Sequence, residues 1–217
     1  MLDREVDQAS GLRRSMSRRR GRVLPIAGAG DDPGVVVRLA QALADVGSEV
    51  TVVSDLESVV DGFQRARSRR GLVAMPSWQA GCDLERLPTI AEHCDLTLVA
   101  VDDRRLAEGL ELRSCGAVVF SGADAESLAT AYARIKALVG LGSIREVCTV
   151  FDRGSGGAPA RRGHARLAQT AARFLGVNLA FGGAVPDTTA PGAYRALAAD
   201  LAEWARSGDA EVTWRTH

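Results

Sequence analysis

The sequence of 217 residues predicts a doubly wound, mainly parallel α/β sheet preceded by a helical arm. Short runs that are apolar nearly throughout, such as Leu96-Thr97-Leu98-Val99-Ala100-Val101, alternate with longer amphipathic stretches. That alternation marks parallel strands covered on both faces by crossover helices. One apolar run, Val23 to Ala27, leads straight into the glycine-rich stretch Gly28-Ala29-Gly30-Asp31-Asp32-Pro33-Gly34 and then a helical pattern from Val35 to Leu43. In such a sheet the turn after a strand lies at the carboxyl edge, where ligands bind. It aims backbone N–H groups and the positive end of a helix dipole at one spot.

In chain order, residues 1–16 place Leu2, Val6, Ala9, Leu12 and Met16 at steps of three and four, one apolar stripe on a short helix. Such a helix is near the length at which nucleation costs prevail in water. Residues 17–22 carry clustered arginines and read as a basic linker. An α/β domain then fills residues 23–206, with a polar tail at 207–217. Strands are expected at 23–27, 49–54, 71–75, 95–101, 117–121, 147–151 and 179–185. Helices are expected at 34–46, 56–69, 84–93, 104–113, 124–139, 161–175 and 193–206. Pro25 removes a donor from a strand expected to be central, which predicts local remodelling there. Tyr194, Leu197, Leu201 and Trp204 form a stripe opposite Asp200 and Glu203, so the last helix is expected to dock on the sheet.

The formal charge is zero, yet Arg13, Arg14, Arg18, Arg19, Arg20 and Arg22 crowd the start of the chain. A neutral total does not imply nucleic-acid affinity. Lys136 is the only lysine, so arginine supplies the other 26 of 27 basic residues. Cys82, Cys94, Cys115 and Cys148 are scattered without a C-x-x-C pair, as expected of free thiols in a reducing compartment rather than of a metal or disulfide framework. No apolar run approaches the ~18 residues of a membrane span and no apolar core follows the first arginines. The expectation is a soluble, cytoplasmic protein without a stable membrane anchor. His93 beside Cys94 reads as a surface or half-buried pair rather than a metal site, and His164 as a solvated residue among arginines with no triad spacing.

Two stretches together carry a family resemblance. Asp7-Gln8-Ala9-Ser10-Gly11-Leu12-Arg13 resembles the DQAxxLR motif at the N-terminus of FlhG proteins (also called YlxH or FleN), the MinD/ParA-like regulators of bacterial flagellar number and placement. Downstream, Ala131-Tyr132-Ala133-Arg134-Ile135-Lys136-Ala137-Leu138 is similar to that family's DAYALIKAL helix, and Val185-Pro186-Asp187 to its IPxD-like loop. The similarity spans about residues 5–206. It implies a MinD-like P-loop NTPase fold of the SIMIBI class. It also implies an N-terminal helix that binds and stimulates FlhF, the signal-recognition-particle-type GTPase, through Asp7, Gln8, Ala9, Leu12 and Arg13. Gln8 would orient the attacking water, or Arg13 offset transition-state charge. Flagellar C-ring components are further partners that the family suggests, with recruitment to the flagellated pole through a partner.

The nucleotide motifs of that family are altered here. Its P-loop, KGGxGK[ST], corresponds to Gly28, Ala29, Gly30, Asp31, Asp32, Gly34 and Val35. Ala29 stands where the signature lysine would fall, and Gly34-Val35 where Lys-Thr would. The D-x-D after the second strand becomes Ser54-Asp55-Leu56, the Walker B aspartate becomes Ala100, and the base-recognition Asn-Arg becomes Asp152-Arg153. A carboxylate ~4 Å from a phosphate charge repels it by ~1 kcal/mol in water and ~4 kcal/mol at an effective dielectric of ~20. The expectation is therefore a pseudo-ATPase with no catalytic residues, no cofactor and no metal. Two alternatives stand beside it. One is an active MinD-like ATPase that dimerises on ATP with Mg²⁺. The other is a dinucleotide-binding oxidoreductase domain, from Gly28-x-Gly30-x-x-x-Gly34 with Glu57 further on, a weak pattern.

Overall fold

The computed structural model describes residues 21–29, 32–54, 59, 72–74, 91–101, 106, 116–140, 142, 144–152, 154, 157–188, 190 and 192–207. The arm, most of the linker, the tail and most of the helices expected at 56–69, 84–93 and 104–113 lie outside these residues.

Seven parallel strands form the sheet: β1 (Arg22–Ala27), β2 (Val50–Ser54), β3 (Leu72–Ala74), β4 (Leu96–Ala100), β5 (Gly116–Ser121), β6 (Glu146–Phe151) and β7 (Leu179–Ala184). Their order is β3-β2-β4-β1-β5-β6-β7. Every described pairing is parallel, so successive strands need crossovers. The crossovers include α1 (Pro33–Asp45), α2 (Ala125–Gly140) and α3 (Ala158–Leu175), and α4 (Arg195–Ser207) follows β7.

Alternation along each strand divides the interior into two layers. Leu24, Ile26, Leu96, Leu98, Val118 and Phe120 point toward α1 and α4. Val53, Val99, Val119 and Val147 point toward α2 and α3. Both faces are covered, which explains why these strands are apolar throughout. Each fully buried Leu, Ile or Val is worth roughly 1.5–3 kcal/mol.

Helix α1 buries Val36, Leu39, Ala40 and Leu43, one stripe at helical spacing. Pro33 opens it, where a missing N–H costs nothing. It stops at Gly47, whose φ of +98° allows Gly47 N–H to donate to Ala44 O at 3.0 Å and Ser48 N–H to Leu43 O at 3.1 Å. Helix α3 starts at Ala158, three residues before the expected 161, because Pro159 presets the first turn. The last helix docks on the sheet as expected. Tyr194, Leu197 and Leu201 are buried and Trp204 packs against the same layer, although Tyr194 precedes the helix proper.

The remodelling expected at Pro25 takes a definite form. Arg22 to Pro25 register with Leu96 to Val99 of β4, and Ile26 and Ala27 with Val118 and Val119 of β5. The strand passes from one neighbour to the other at the residue that lacks a donor. Among the described residues no helix is long and apolar enough to cross a membrane.

Candidate functional site

Strand β1 delivers Gly28 and Ala29 to the carboxyl edge, beside the first turn of α1. Gly28 has φ +80°, a backbone state that L side chains avoid. A Cβ there would lie 2.8 Å from Arg134 Nη1 and 2.8 Å from Phe120 O. The guanidinium of Arg134, carried by α2, therefore lies against the start of the loop. Ala29 is buried; Gly30 and Asp31 lie outside the described residues.

Asp32 occupies the N-cap position of α1 but makes no side-chain cap hydrogen bond. Its carboxylate turns to Arg38, whose Nη2 donates to Oδ2 at 2.7 Å. Arg38 Nε donates to the Tyr194 hydroxyl at 2.9 Å, and the guanidinium stands 5.5 Å from the centre of that ring. Tyr194 is 4% exposed. The pair crosses directly over Gly34, where a Cβ would lie 2.8 Å from Arg38 Nη1 and 3.1 Å from Asp32 Oδ1. The sequence treats Asp32 as an unopposed acid, but Arg38 opposes it. Val35, in the place of the family's Ser/Thr, is buried in the core and donates its N–H to Asp32 O at 2.9 Å.

The other positions that the resemblance aligns with nucleotide motifs lie at the same carboxyl edge of the sheet. Ser54 registers with Ala100, and its buried hydroxyl donates to Ala100 O at 2.6 Å. The two positions that the resemblance aligns with the switch and Walker B motifs thus bond to each other. Asp55 and Leu56 lie outside the described residues, as does Arg153. Asp152 is half-buried and donates its N–H to Ser121 O at 2.9 Å. Gly154 N–H donates to Asp187 Oδ1 at 2.9 Å, which ties the loop after β6 to the loop after β7. Asp124 accepts the Ser127 hydroxyl at 2.5 Å and the Ser127 N–H at 2.9 Å. These bonds hold its carboxyl below the usual carboxylate range. Among the described residues, the loop offers a buried valine and an arginine that already carries a carboxylate.

The arm residues Asp7, Gln8, Ala9, Leu12 and Arg13 lie outside the described residues. A second surface went unread in the sequence. On α3, Ala160, Gly163, Leu167 and Ala171 are buried at helical spacing, and Phe174 continues that stripe yet is 65% exposed. The helix thus presents an aromatic ring where its packing on the sheet has ended. Arg161, Arg162, Arg166 and Arg173 on α3 and Lys136 on α2 are exposed, and Arg173 stands 5.2 Å from the Phe174 ring. The periodicity alone assigns Phe174 to the core, so only the exposure identifies it.

His164 corrects another expectation. It does not lie on the solvated face but is half-buried, with Nδ1 2.8 Å from Thr149 Oγ1 and its ring 5.2 Å from that of Phe181. Thr149 donates its hydroxyl to Ala180 O at 3.1 Å, which assigns the proton of the first bond to His164 Nδ1. Burial lowers the His164 pKa from its ordinary value.

No protein-family model matches the chain, and neither does any curated protein sequence. Solved structures do. The MinD cell division protein of Aquifex aeolicus superposes with a TM-score of 0.53 at 15% identity, over 90% of this chain and 100% of that one. A plasmid partition protein of Borrelia burgdorferi gives 0.54 at 12% identity, over 88% and 100%. A further Borrelia burgdorferi partition protein, described as putative in its source and bound to AMPPNP, gives 0.58 at 9%, over 86% and 100%. Identities this low speak for the fold alone: the chain has the fold of MinD/ParA-type P-loop ATPases.

Proposed function

We propose that this protein is a non-catalytic, FlhG-like regulator of flagellar number or placement, whose N-terminal helix binds and stimulates an FlhF-type GTPase. The observation that carries the reading is Asp7-Gln8-Ala9-Ser10-Gly11-Leu12-Arg13 standing in front of a body with the MinD/ParA-type fold. The Leu2, Val6, Ala9 and Leu12 stripe would fold on docking into an apolar groove of the partner. Gln8 would then orient the attacking water, or Arg13 would offset charge on the transferring phosphoryl group. The loop supports the non-catalytic part, since Lys136 is the only lysine in the chain and Arg38 is engaged by Asp32.

The test is GTP turnover by FlhF with a peptide of residues 1–20. Stimulation of tenfold or more is expected, reduced to near the basal rate by Gln8→Ala. A peptide that leaves turnover unchanged removes this reading. Calorimetry with MgATP separates the active-ATPase alternative, which requires tight binding.

The α2–α3 face is the surface suited to a second partner, for which the family suggests a flagellar C-ring component. Exposed bases along α3 and one exposed aromatic ring near its end, flanked by Arg173, would suit a segment that carries both acidic and apolar side chains.

A further inference from the structure

The sheet ends at β7, whose outer side has no neighbour among the described residues. That strand is half-buried along most of its length, whereas β5 is buried throughout. Its sequence, Leu179-Ala180-Phe181-Gly182-Gly183-Ala184, holds no charge and no proline, two devices that keep an open edge from pairing. What guards it is a bulge. Thr149 registers with Phe181 and Val150 with Gly183, so Gly182 is the extra residue, and a Cβ on it would lie 2.6 Å from Cys148 Sγ. A bulge bends its strand and interrupts the ladder. The carboxyl half of β7 is thereby spoiled for a further strand, and Leu179 to Phe181 stay open.

Helix α3 decides what the open half accepts. It straddles the last two strands: His164 is bonded to Thr149 of β6, while Arg161 stands 5.4 Å from the Phe181 ring of β7. From Arg161, the residues Ala165, Ala168, Ala172 and Leu175 follow at steps of four, three, four and three, one stripe along the flank above β7. Ala165 and Ala172 are exposed, Ala168 and Leu175 half-buried. Gly163 lies on the opposite flank, where a Cβ would stand 2.8 Å from Phe151 Cε1 of β6. The flank above β7 is thus uncharged beyond Arg161, and it is narrow enough for another helix to come close.

A second copy of the chain meets both surfaces at once. A two-fold axis normal to the sheet at this edge sets the two β7 strands antiparallel and the two α3 helices antiparallel above them. Strands lie ~4.8 Å apart, so helices that straddle the last two strands on either side of the axis stand about 10 Å apart. Helices pack at roughly that separation, given small facing side chains. The same axis carries each Arg161 to the last turn of the other α3, where unpaired carbonyls and the negative end of the dipole receive a cation. The two Arg161 side chains stay at opposite ends of the seam. A lone extended segment would satisfy the β7 backbone but leave the alanine flank uncovered.

We propose that the open half of β7 and the alanine flank of α3 form an isologous homodimer interface that joins two sheets into one. It requires no nucleotide and uses neither the glycine-rich loop nor the base-bearing side of α3.

Sedimentation equilibrium of the full chain without nucleotide should give twice the monomer mass of 22.9 kDa, with a Kd of about 10 μM or below. Ala172→Glu and Ala165→Arg each place a long charged side chain in the seam and should raise that Kd tenfold or more. Both positions are exposed, so circular dichroism should show each variant folded. In the double variant Ala165→Arg/Ala172→Glu each new arginine meets the new glutamate of the other copy, and dimerisation should recover. Amide hydrogen exchange at Leu179 to Phe181 should be slower in the wild-type chain than in Ala172→Glu at equal concentration. A wild-type chain that stays monomeric at about 100 μM overturns the proposal. So does a dimer that persists in both single variants, fails to return in the double variant, leaves exchange at 179–181 unchanged, or forms only with MgATP.

Discussion

At the scale of single residues, His164 offers a titration whose sign can be worked out. Its native pKa is lowered by burial, while in the unfolded chain it titrates near its ordinary value of 6.5. Between the two values the unfolded state binds more protons, so stability rises with pH there. The contribution is full above about pH 6.5 and is lost as pH falls through the native value. Urea midpoints should therefore drop between pH 7.5 and pH 5.5, and His164→Gln should reduce that drop. An unchanged slope in the variant would assign the pH dependence to other groups. The partners of His164 were not legible in the sequence, because Thr149 and Phe181 belong to strands whose register against α3 follows no local spacing. The Ser54–Ala100 bond, between positions 46 apart, was hidden for the same reason. The missing lysines were legible because the absence of a residue type needs no geometry. Arg38 was not, since six residues is outside the usual helical pairing of three or four, and the pair forms only because Gly34 has no side chain in its way.

At the scale of elements, α4 braces the sheet from both ends. Tyr194, the residue just before it, holds Arg38 near the carboxyl edge, and its last turn meets β1 at the amino edge. There Arg22, 9% exposed, donates Nη1 to Ala205 O, reaches Glu146 Oε2 with Nη2 at 3.2 Å, and stands 5.4 Å from the Trp204 ring. A cation at a helix C-terminus meets the negative end of the dipole, and the stem packs on the indole. Glu146 is 43% exposed, so its ion pair is screened and worth less than about 1 kcal/mol. Arg22→Ala should cost about 2–4 kcal/mol in urea unfolding, from lost packing and an unsatisfied buried carbonyl, whereas Glu146→Gln should cost under about 1 kcal/mol. Equal losses would make the ion pair the main term and refute this ranking. Strands β1, β2, β4, β5 and β6 were readable within one or two residues because both their faces are buried. Helix starts were less so: Pro159 draws α3 back to Ala158, and Tyr194 serves the core from outside the helix whose stripe it shares.

At the scale of the whole molecule, a formal charge of zero conceals a segregated charge. Between residues 127 and 186 the bases are Arg134, Lys136, Arg145, Arg153, Arg161, Arg162, Arg166 and Arg173, opposed only by Glu146 and Asp152. Most of these bases belong to α2 and α3, which share one face of the sheet, and Glu146 is bonded to Arg22. Such a field would attract an acidic partner and act on its association rate more than on its final affinity. Affinity needs a desolvated anchor, and Phe174 is the exposed large apolar side chain among the described residues. The two contributions can be separated in binding to a purified C-ring component. Phe174→Ser should weaken the complex tenfold or more, mainly through faster dissociation and with little change in salt dependence. Arg166→Glu should slow association and flatten the salt dependence, leaving dissociation less affected. Both side chains are exposed, so thermal stability should change little, and stimulation of FlhF by the arm should persist in each variant. Loss of that stimulation along with C-ring binding would mean that the arm and the α2–α3 face serve one partner rather than two. Undiminished binding in both variants would place the docking surface elsewhere on the sheet domain.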